Sequence, residues 1–325
     1  MKDFLDNKVL VTGGAGFIGS HLVKRLVKAG AEVTVIVKYK SIFDCIRLSQ
    51  VWDNINVIEA DLRNIDSVIQ LRSSYFDYIF HLAAYNHVGD SFIHFQEALQ
   101  SNLISTANIF EYGPDYGRFI YTATSEVYGY QDSVPFKEEN MPFPLSPYAI
   151  GKYSGELYAK MKAFQEDKKE IICIRPFNTF GPYQSERAII PEIIIKCLRG
   201  SPIHTTEGKQ TREFNFVENI VDGFLLAAKT DNIPSGSINI GSGEEIAIRN
   251  LVNKIYELCD SKSELKIGVL KNRPTEIWRM KADNVRAEKY LEWVPKIPFE
   301  KGLVLTINWF KKFVHLYFDG ELKKL

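Results

Sequence analysis

The stretch Val9-Leu-Val-Thr-Gly-Gly-Ala-Gly-Phe-Ile-Gly19 sets three glycines, at 13, 16 and 19, between an apolar run and a helical pattern. Each position has a physical use. Gly13 permits a tight turn, Gly16 lets the backbone approach a pyrophosphate, and Gly19 lets a helix pack closely on the preceding strand. The helix start that follows turns unpaired N–H groups and a positive dipole end toward an anion. A glycine triplet alone is weak evidence; its place between the first strand and the first helix makes it a dinucleotide-binding signature.

Outward from this loop, short β-branched runs alternate with helical stretches, the pattern of a parallel sheet covered by crossover helices. Strands are expected over 8–12, 32–37, 56–60, 78–82, 118–122 and 170–175, with helices over 18–29, 65–71 and 95–112 among them. After Arg175 the alternation weakens, and Pro176, Gly181, Pro182, Gly200, Pro202 and Gly208 punctuate the chain. Residues 237–240 read as a strand returning to the main sheet, and 248–258 as a helix. The expected architecture is an α/β Rossmann fold, a doubly wound parallel sheet, with a smaller α/β substrate-binding domain. Residues 1–178, with 213–244 returning to them, are expected to form the cofactor domain; 179–212 and 245–325 form the other.

A chain of 325 residues can bury a large core, and 45% apolar with 25% charged residues excludes disorder, collagen-like repeats and coiled coils. Basic and acidic residues balance at 40 each, so no global field draws the chain to nucleic acid or an anionic membrane, and neither is an expected partner. No basic segment followed by a long apolar run opens the sequence, and no apolar run approaches the roughly 18 residues needed to span a bilayer. A cytoplasmic location is the expectation. Cys45, Cys173, Cys197 and Cys259 form no CxxC or Cys/His pattern and read as reduced thiols, with no metal site. Of six histidines only His81 and His87 fall in segments read as functional, and capping or packing would account for both.

The second strand ends in Lys38, Tyr39 and Lys40 rather than in the acid that NAD-preferring folds place there for the ribose 2′-hydroxyl. Two ammonium groups suit a 2′-phosphate, so the expected cofactor is NADP or NAD, with NADP ahead; a solvated strand end would explain the lysines as well. Phe17 and Ile18 open the helix beside the glycines. Asp61, followed by Leu62, is placed to accept from the adenine amino group, and Leu82, Ala83 and Ala84 are expected under the adenosine half.

The segment Ser146-Pro-Tyr-Ala-Ile-Gly-Lys152 joins a cap residue, a proline suited to a first helical turn, and Tyr148 and Lys152 four apart, hence on one helix face. An adjacent cation would lower the tyrosine pKa toward the working range and let it take a proton from a hydroxyl. Upstream, 121–129 ends the fifth strand at its carboxyl side, where open sheets of this type bind ligands.

The motifs TGGAGFIG, HLAA, TSEVYG, YAIGK, RPFNTFGP, TREFNFV and a late RP, in this order over nearly the whole chain, closely resemble the extended short-chain dehydrogenase/reductase family, in its nucleotide-sugar epimerase/dehydratase branch. The resemblance implies that Thr124, Tyr148 and Lys152 are the catalytic hydroxyl, base and ribose-binding lysine. It also implies that Asn178 and Arg212 contact a nucleotide diphosphate, with Arg273 a second phosphate or nucleoside contact. Arg187 lies in a segment, 184–191, that could close on the nucleotide. A homodimer built on helices around 98–112 and 148–164 is implied too. A non-catalytic NADP-binding sensor of the same fold would carry a broken triad, and this triad is intact.

Enzymes of this branch begin by taking the C4 hydroxyl proton while hydride leaves C4, which gives a 4-ketosugar. A 4-epimerase needs nothing more, whereas a 4,6-dehydratase must remove the C5 proton and expel the C6 hydroxyl. Glu126 resembles the glutamate that does so in sugar-nucleotide 4,6-dehydratases, and Ser125 beside it resembles the GDP-mannose dehydratase pattern, in which Glu126 would serve both steps. The loop HLAAYNHVGDSF resembles the dehydratase version that brings His87 and Ser91 close to the sugar. UDP-glucuronate decarboxylases share the TSEVYG string, so decarboxylation stays open beside epimerisation.

Overall fold

The computed structural model describes residues 3–39, 45–165, 170–234, 236–272 and 275–317. Seven parallel strands form one sheet: β1 (Lys8–Thr12), β2 (Glu32–Val37), β3 (Ile55–Glu59), β4 (Tyr75–His81), β5 (Asp115–Thr122), β6 (Glu170–Pro176) and β7 (Ser237–Ile240). Their spatial order is β7-β6-β5-β4-β1-β2-β3. Val9 stands opposite Val33 on one side and Tyr78 on the other, so the order of crossing reverses between β1 and β4. A crevice opens at such a switch point, beyond the carboxyl ends of the strands. The expected doubly wound sheet is therefore present, with β4 and β5 beginning three residues earlier than read from the sequence.

Side chains alternate across the strands, and both faces are covered. Val9, Val11, Val33 and Val35 pack under Leu22 and Leu26 of α1 (Phe17–Lys28), with Ile220 and Phe224 of Val217–Lys229 in the same cluster. Leu10, Ile36, Ile79, Phe119 and Tyr121 face the other way, toward Ile109 and Ala159. Those two residues lie on α2, a continuous helical run over 95–112 with a π-helical turn at Gln100–Ile104, and α3 (Pro147–Gln165). Double burial is why the strands read as runs of Val and Ile rather than as alternating patterns.

A third apolar cluster stands apart from the sheet. It joins Ile190, Ile193 and Ile194 of α4 (Ile189–Arg199), Leu251, Val252 and Ile255 of Ile248–Leu258, and Leu303, Ile307 and Phe310 of Phe299–Phe313, around Phe180, Phe214 and Phe216. Three two-stranded ladders flank it: Thr179–Phe180 with Asn215–Phe216, Thr211–Glu213 with Glu245–Ala247, and Ile203–Thr205 with Leu265–Ile267. No described helix is long and apolar enough to cross a membrane.

Candidate active site

At the β1/β4 switch point lies a cavity of about 450 Å³, walled by Gly13, Gly16, Asp61, Leu62, Leu82, Ala83 and Ala84, with Lys38 and Arg47 at its edge. Gly13 has φ +67°, and a Cβ there would stand 2.7 Å from the Ala83 nitrogen. A Cβ on Gly19 would meet the Gly13 carbonyl at 2.3 Å, so the helix can approach the turn only without a side chain. The cradle at the start of α1 fits a dinucleotide phosphate. Phe17 and Ile18 pack against the first core cluster and are not part of this wall.

Two expected contacts are engaged within the protein. Lys38 Nζ donates to Glu97 Oε1 at 3.3 Å. Asp61 accepts from Arg63, whose Nε lies 2.9 Å from Oδ1 and whose Nη2 lies 2.5 Å from Oδ2, and this pairing holds the carboxyl below its usual range. Lys40 lies outside the described residues. Below the cavity, the Ala83 N–H donates to Thr12 Oγ1 at 3.1 Å, and that oxygen is 2.9 Å from His81 Nδ1. His81 Nε2 is 3.2 Å from Thr106 Oγ1, which donates to the Asn102 carbonyl at 2.8 Å. Burial, helped by the Lys152 charge, drives His81 down to about 3, so it is a neutral brace for the loop rather than an acid or base.

Tyr148 and Lys152 lie one turn apart on α3. The Tyr148 phenol is hydrogen-bonded to Thr124 and lies in the field of Glu126. Burial pushes it up to about 12, opposite to the expected lowering by the lysine. The reason is visible in where Lys152 points: its ammonium stands over the Tyr121 ring, 5.0 Å from the centroid, and burial brings it down to about 7. The Tyr121 hydroxyl donates to the Lys152 carbonyl at 2.9 Å, a contact permitted by Gly155, where a Cβ would lie 2.3 Å from that hydroxyl.

The turn after β5 aims its side chains in two directions. Thr124 Oγ1 accepts from the Glu126 N–H at 3.2 Å, and Glu126 lines a second cavity, of about 550 Å³. Ser125 is buried instead and donates to the Met280 sulfur at 3.5 Å, so the structure does not bring it to the reacting groups. Tyr128, in the same turn, donates to Asn239 Oδ1 at 2.7 Å and accepts from Arg175 Nη1 at 2.8 Å. Arg175 in turn grips Glu156 of α3, which lies on the same helix face as Tyr148 and Lys152.

The second cavity runs from Glu126 and Ser146 past Asn178 and Arg187 to Thr206, Gln210 and Arg212. Asn178 and Arg212 both line it, and Arg212 Nη2 also donates to Glu276 Oε1 at 2.6 Å. Arg187 reaches the wall with Nη1 held 2.6 Å from Asp90 Oδ2. The loop after β4 contributes Val88 and Phe92; His87 accepts the Asp90 N–H at 3.0 Å, and the buried Ser91 donates to the Val88 carbonyl at 2.6 Å, bracing the loop rather than facing the cavity. Arg273 lies outside the described residues.

Several residues of these walls carry no mark in the sequence. Arg47 donates to the Tyr183 carbonyl at 3.0 Å and also to that of Ala15, tying the glycine loop to the residue that precedes Gln184 of the second cavity's wall. Glu97 and Glu276 meet their partners 59 and 64 residues away. Among the described residues, no group of three or more His, Cys, Asp or Glu could hold a metal ion.

Comparison with known proteins agrees with this arrangement. The family model for GDP-mannose 4,6 dehydratase matches residues 10–306. A dTDP-D-glucose 4,6-dehydratase of Bos taurus is 29% identical over 98% of this chain and 93% of its own. UDP-glucuronic acid decarboxylase 1 of Xenopus tropicalis is 33% identical, covering 94% of this chain and 72% of its own. Among solved structures, the UDP-glucuronic acid 4-epimerase of Bacillus cereus, in complex with UDP-glucuronic acid and NAD, superposes with a TM-score of 0.85 at 28% identity, over 94% of this chain and 99% of that one. With the glycine cradle, the Tyr148–Thr124 pair and a match over nearly its whole length, the chain belongs to the NAD(P)-dependent nucleotide-sugar epimerase/dehydratase family, the extended short-chain dehydrogenases/reductases.

Proposed function

We propose that the protein is a sugar-nucleotide 4,6-dehydratase, converting an NDP-hexose to the NDP-4-keto-6-deoxyhexose. The observation that carries this reading is Glu126: its carboxylate lines the larger cavity and acts on the phenol of Tyr148. A nicotinamide cofactor, held by the glycine cradle and Lys152, supplies a reversible hydride acceptor when bound. Tyr148, paired with Thr124, takes the proton of the C4 hydroxyl. Glu126 then takes the proton from C5, now acidic beside the ketone, and delivers it to the departing C6 hydroxyl, so that one water leaves; return of the hydride to C6 of the resulting C5=C6 double bond, with a proton to C5 equal to the one Tyr148 removed, completes the 4-keto-6-deoxyhexose and leaves the cofactor unchanged. Asn178 and Arg212 hold the diphosphate at the far side.

The cofactor is assigned to the lobe of residues 1–178 and 213–244, and the nucleotide sugar to that of 179–212 and 245–325. NADP is placed ahead of NAD on the strength of Lys38. The test is a panel of GDP-, UDP-, CDP- and dTDP-sugars followed by mass spectrometry. Loss of one water supports the assignment; inversion at C4 without mass change, or loss of carbon dioxide from a uronate, replaces it with epimerase or decarboxylase.

A further inference from the structure

Arg47 reaches from the wall of one cavity to the backbone of the other. It lines the cofactor cavity with Lys38. Lys38 is paired with Glu97, whereas no carboxylate among the described residues lies within ion-pair distance of Arg47. Its hydrogen bonds go to backbone carbonyls instead: Nε donates to Tyr183 at 3.0 Å, and Nη1 to Ala15 of the glycine loop at 3.4 Å. The Tyr183 carbonyl and the Gln184 N–H belong to one planar peptide unit, and that N–H donates to the Gly181 carbonyl at 3.3 Å. Arg47 therefore sets the plane that leads into Gln184. Gln184 opens the segment that, with 187–190, walls the larger cavity.

The turn depends on what surrounds it. Tyr183 has φ +66°, a left-handed conformation that is costly for a residue with a Cβ and persists only where its neighbours impose it. From α1, His21 Nε2 donates to the Pro182 carbonyl at 3.1 Å, and Lys24 Nζ stands 4.4 Å over the Tyr183 ring. Trp309 packs on the same ring with centroids 4.6 Å apart, and the Tyr317 hydroxyl donates to the Gln184 carbonyl at 3.0 Å. Of these groups Arg47 is the one that also lines the cofactor cavity. Gln184 Nε2 donates to the Thr179 carbonyl at 2.7 Å, while its Oε1 is buried without a partner among the described residues, so the amide keeps an acceptor to offer a ligand.

We infer that Arg47 is a positioning residue that couples the two cavities: a dinucleotide phosphate accepts from its remaining N–H groups, and the guanidinium so fixed holds the Tyr183–Gln184 peptide in the form that receives the nucleotide diphosphate. This rests on the two cavities being the cofactor and nucleotide-sugar sites. A planar fork of five donors serves a phosphate and a carbonyl at once, which a lysine ammonium on a flexible stem does not. Such coupling is reciprocal, each ligand tightening the other by the same factor, and one shared contact corresponds to about fivefold to tenfold.

The probes are UDP, GDP, CDP and dTDP, which carry no sugar to touch the nicotinamide. Calorimetry titrates each into the full chain, first stripped of cofactor and then saturated with oxidised NAD or NADP. The diphosphate that binds should do so about fivefold to tenfold more tightly with cofactor present. Coupling by NADP alone assigns Arg47 to the 2′-phosphate, and coupling by both cofactors assigns it to the pyrophosphate. Arg47→Lys should keep cofactor affinity within about threefold yet bring the diphosphate ratio below about twofold; Arg47→Gln should lose both. A wild-type ratio of one, or a ratio that survives Arg47→Lys because binding weakens equally in both states, overturns the inference while leaving the dehydratase reading intact. If none of the four binds with or without cofactor, the nucleotide-sugar reading falls and this inference with it.

Discussion

Glu156 and Arg175 meet through two hydrogen bonds, Nε to Oε2 at 2.9 Å and Nη2 to Oε1 at 2.6 Å, with both side chains fully buried. Against a burial that would raise it, Arg175 holds the Glu156 carboxyl below its usual range. The pair ties the helix of Tyr148 to the turn of Glu126, through Tyr128. Glu156→Gln leaves a buried guanidinium without its counter-charge, and a loss of about 3–5 kcal/mol is expected, read as the denaturant midpoint at constant m-value. Tyr128→Phe should cost less, about 1–3 kcal/mol, because only hydrogen-bond partners are lost.

Glu126→Gln removes the group that carries the proton from C5 to the C6 hydroxyl. Release of water should fall by about 10²–10⁴-fold, a range typical of a general acid–base catalyst. Cofactor affinity, followed by the quenching of protein fluorescence, should not change. Retained water loss would refute the dehydratase assignment.

With the Tyr148 phenol near 12, the cofactor-free protein holds almost no phenolate at neutral pH. Oxidised nicotinamide carries a positive charge that favours the anion. Ultraviolet difference spectra of the wild type minus Tyr148→Phe should therefore develop tyrosinate absorbance at lower pH with the oxidised cofactor than with the reduced one. Identical titrations with both would separate Tyr148 from the nicotinamide site.

Lys38 must leave Glu97 before it can serve a 2′-phosphate. Glu97→Gln removes the competing carboxylate and should raise the affinity for NADP relative to NAD by about threefold to tenfold, the scale of one partly exposed ion pair. Lys38→Ala should lower the same ratio. Competition titrations with both cofactors measure it.

Leu157, Met161 and Phe164 on α3 and Phe95 and Ile104 on α2 are large apolar side chains left exposed on neighbouring helices. A homodimer that covers them is expected. Leu157→Glu with Met161→Glu should shift the sedimentation coefficient from dimer to monomer, whereas a wild type that sediments as a monomer would exclude this assembly.

The sheet was readable because its strands are buried on both faces, so Val9–Val11 and 33–37 stand out as runs. The early ends of β4 and β5 were not. There Tyr75 pairs with Asp115 and Phe76 with Tyr116, and Asp115 and Gly117 have little strand preference of their own; the pairing is imposed by the neighbouring strand. The same division holds at the site. Glycines, Tyr148 and Lys152 are marked by spacing within one element. Asp90 for Arg187, Glu97 for Lys38 and Glu276 for Arg212 come together only in the fold, and each changes what its basic partner can do. Ser125 is buried against Met280 while its neighbour Glu126 lines the cavity, because one step along a 3₁₀ turn rotates the side chain by about a third of a turn.

The histidine beneath the glycine loop admits only one proton order. Thr106 spends its one hydroxyl proton on the Asn102 carbonyl and can only accept from His81 Nε2, so His81 Nδ1 keeps a lone pair and takes the proton of Thr12 Oγ1, which itself receives the Ala83 N–H. The imidazole hydrogen then sits on Nε2 and points to Thr106, whose hydroxyl passes its proton to the Asn102 carbonyl. Asn102 closes the series by clasping both backbone groups of Tyr85. From Ala83 to the Asn102 carbonyl every donor thus faces the same sense, from the floor of the cofactor cavity to the helix behind it. A second proton on the ring would strand the hydroxyl hydrogen of Thr12, so the cradle is stiff only while His81 remains uncharged.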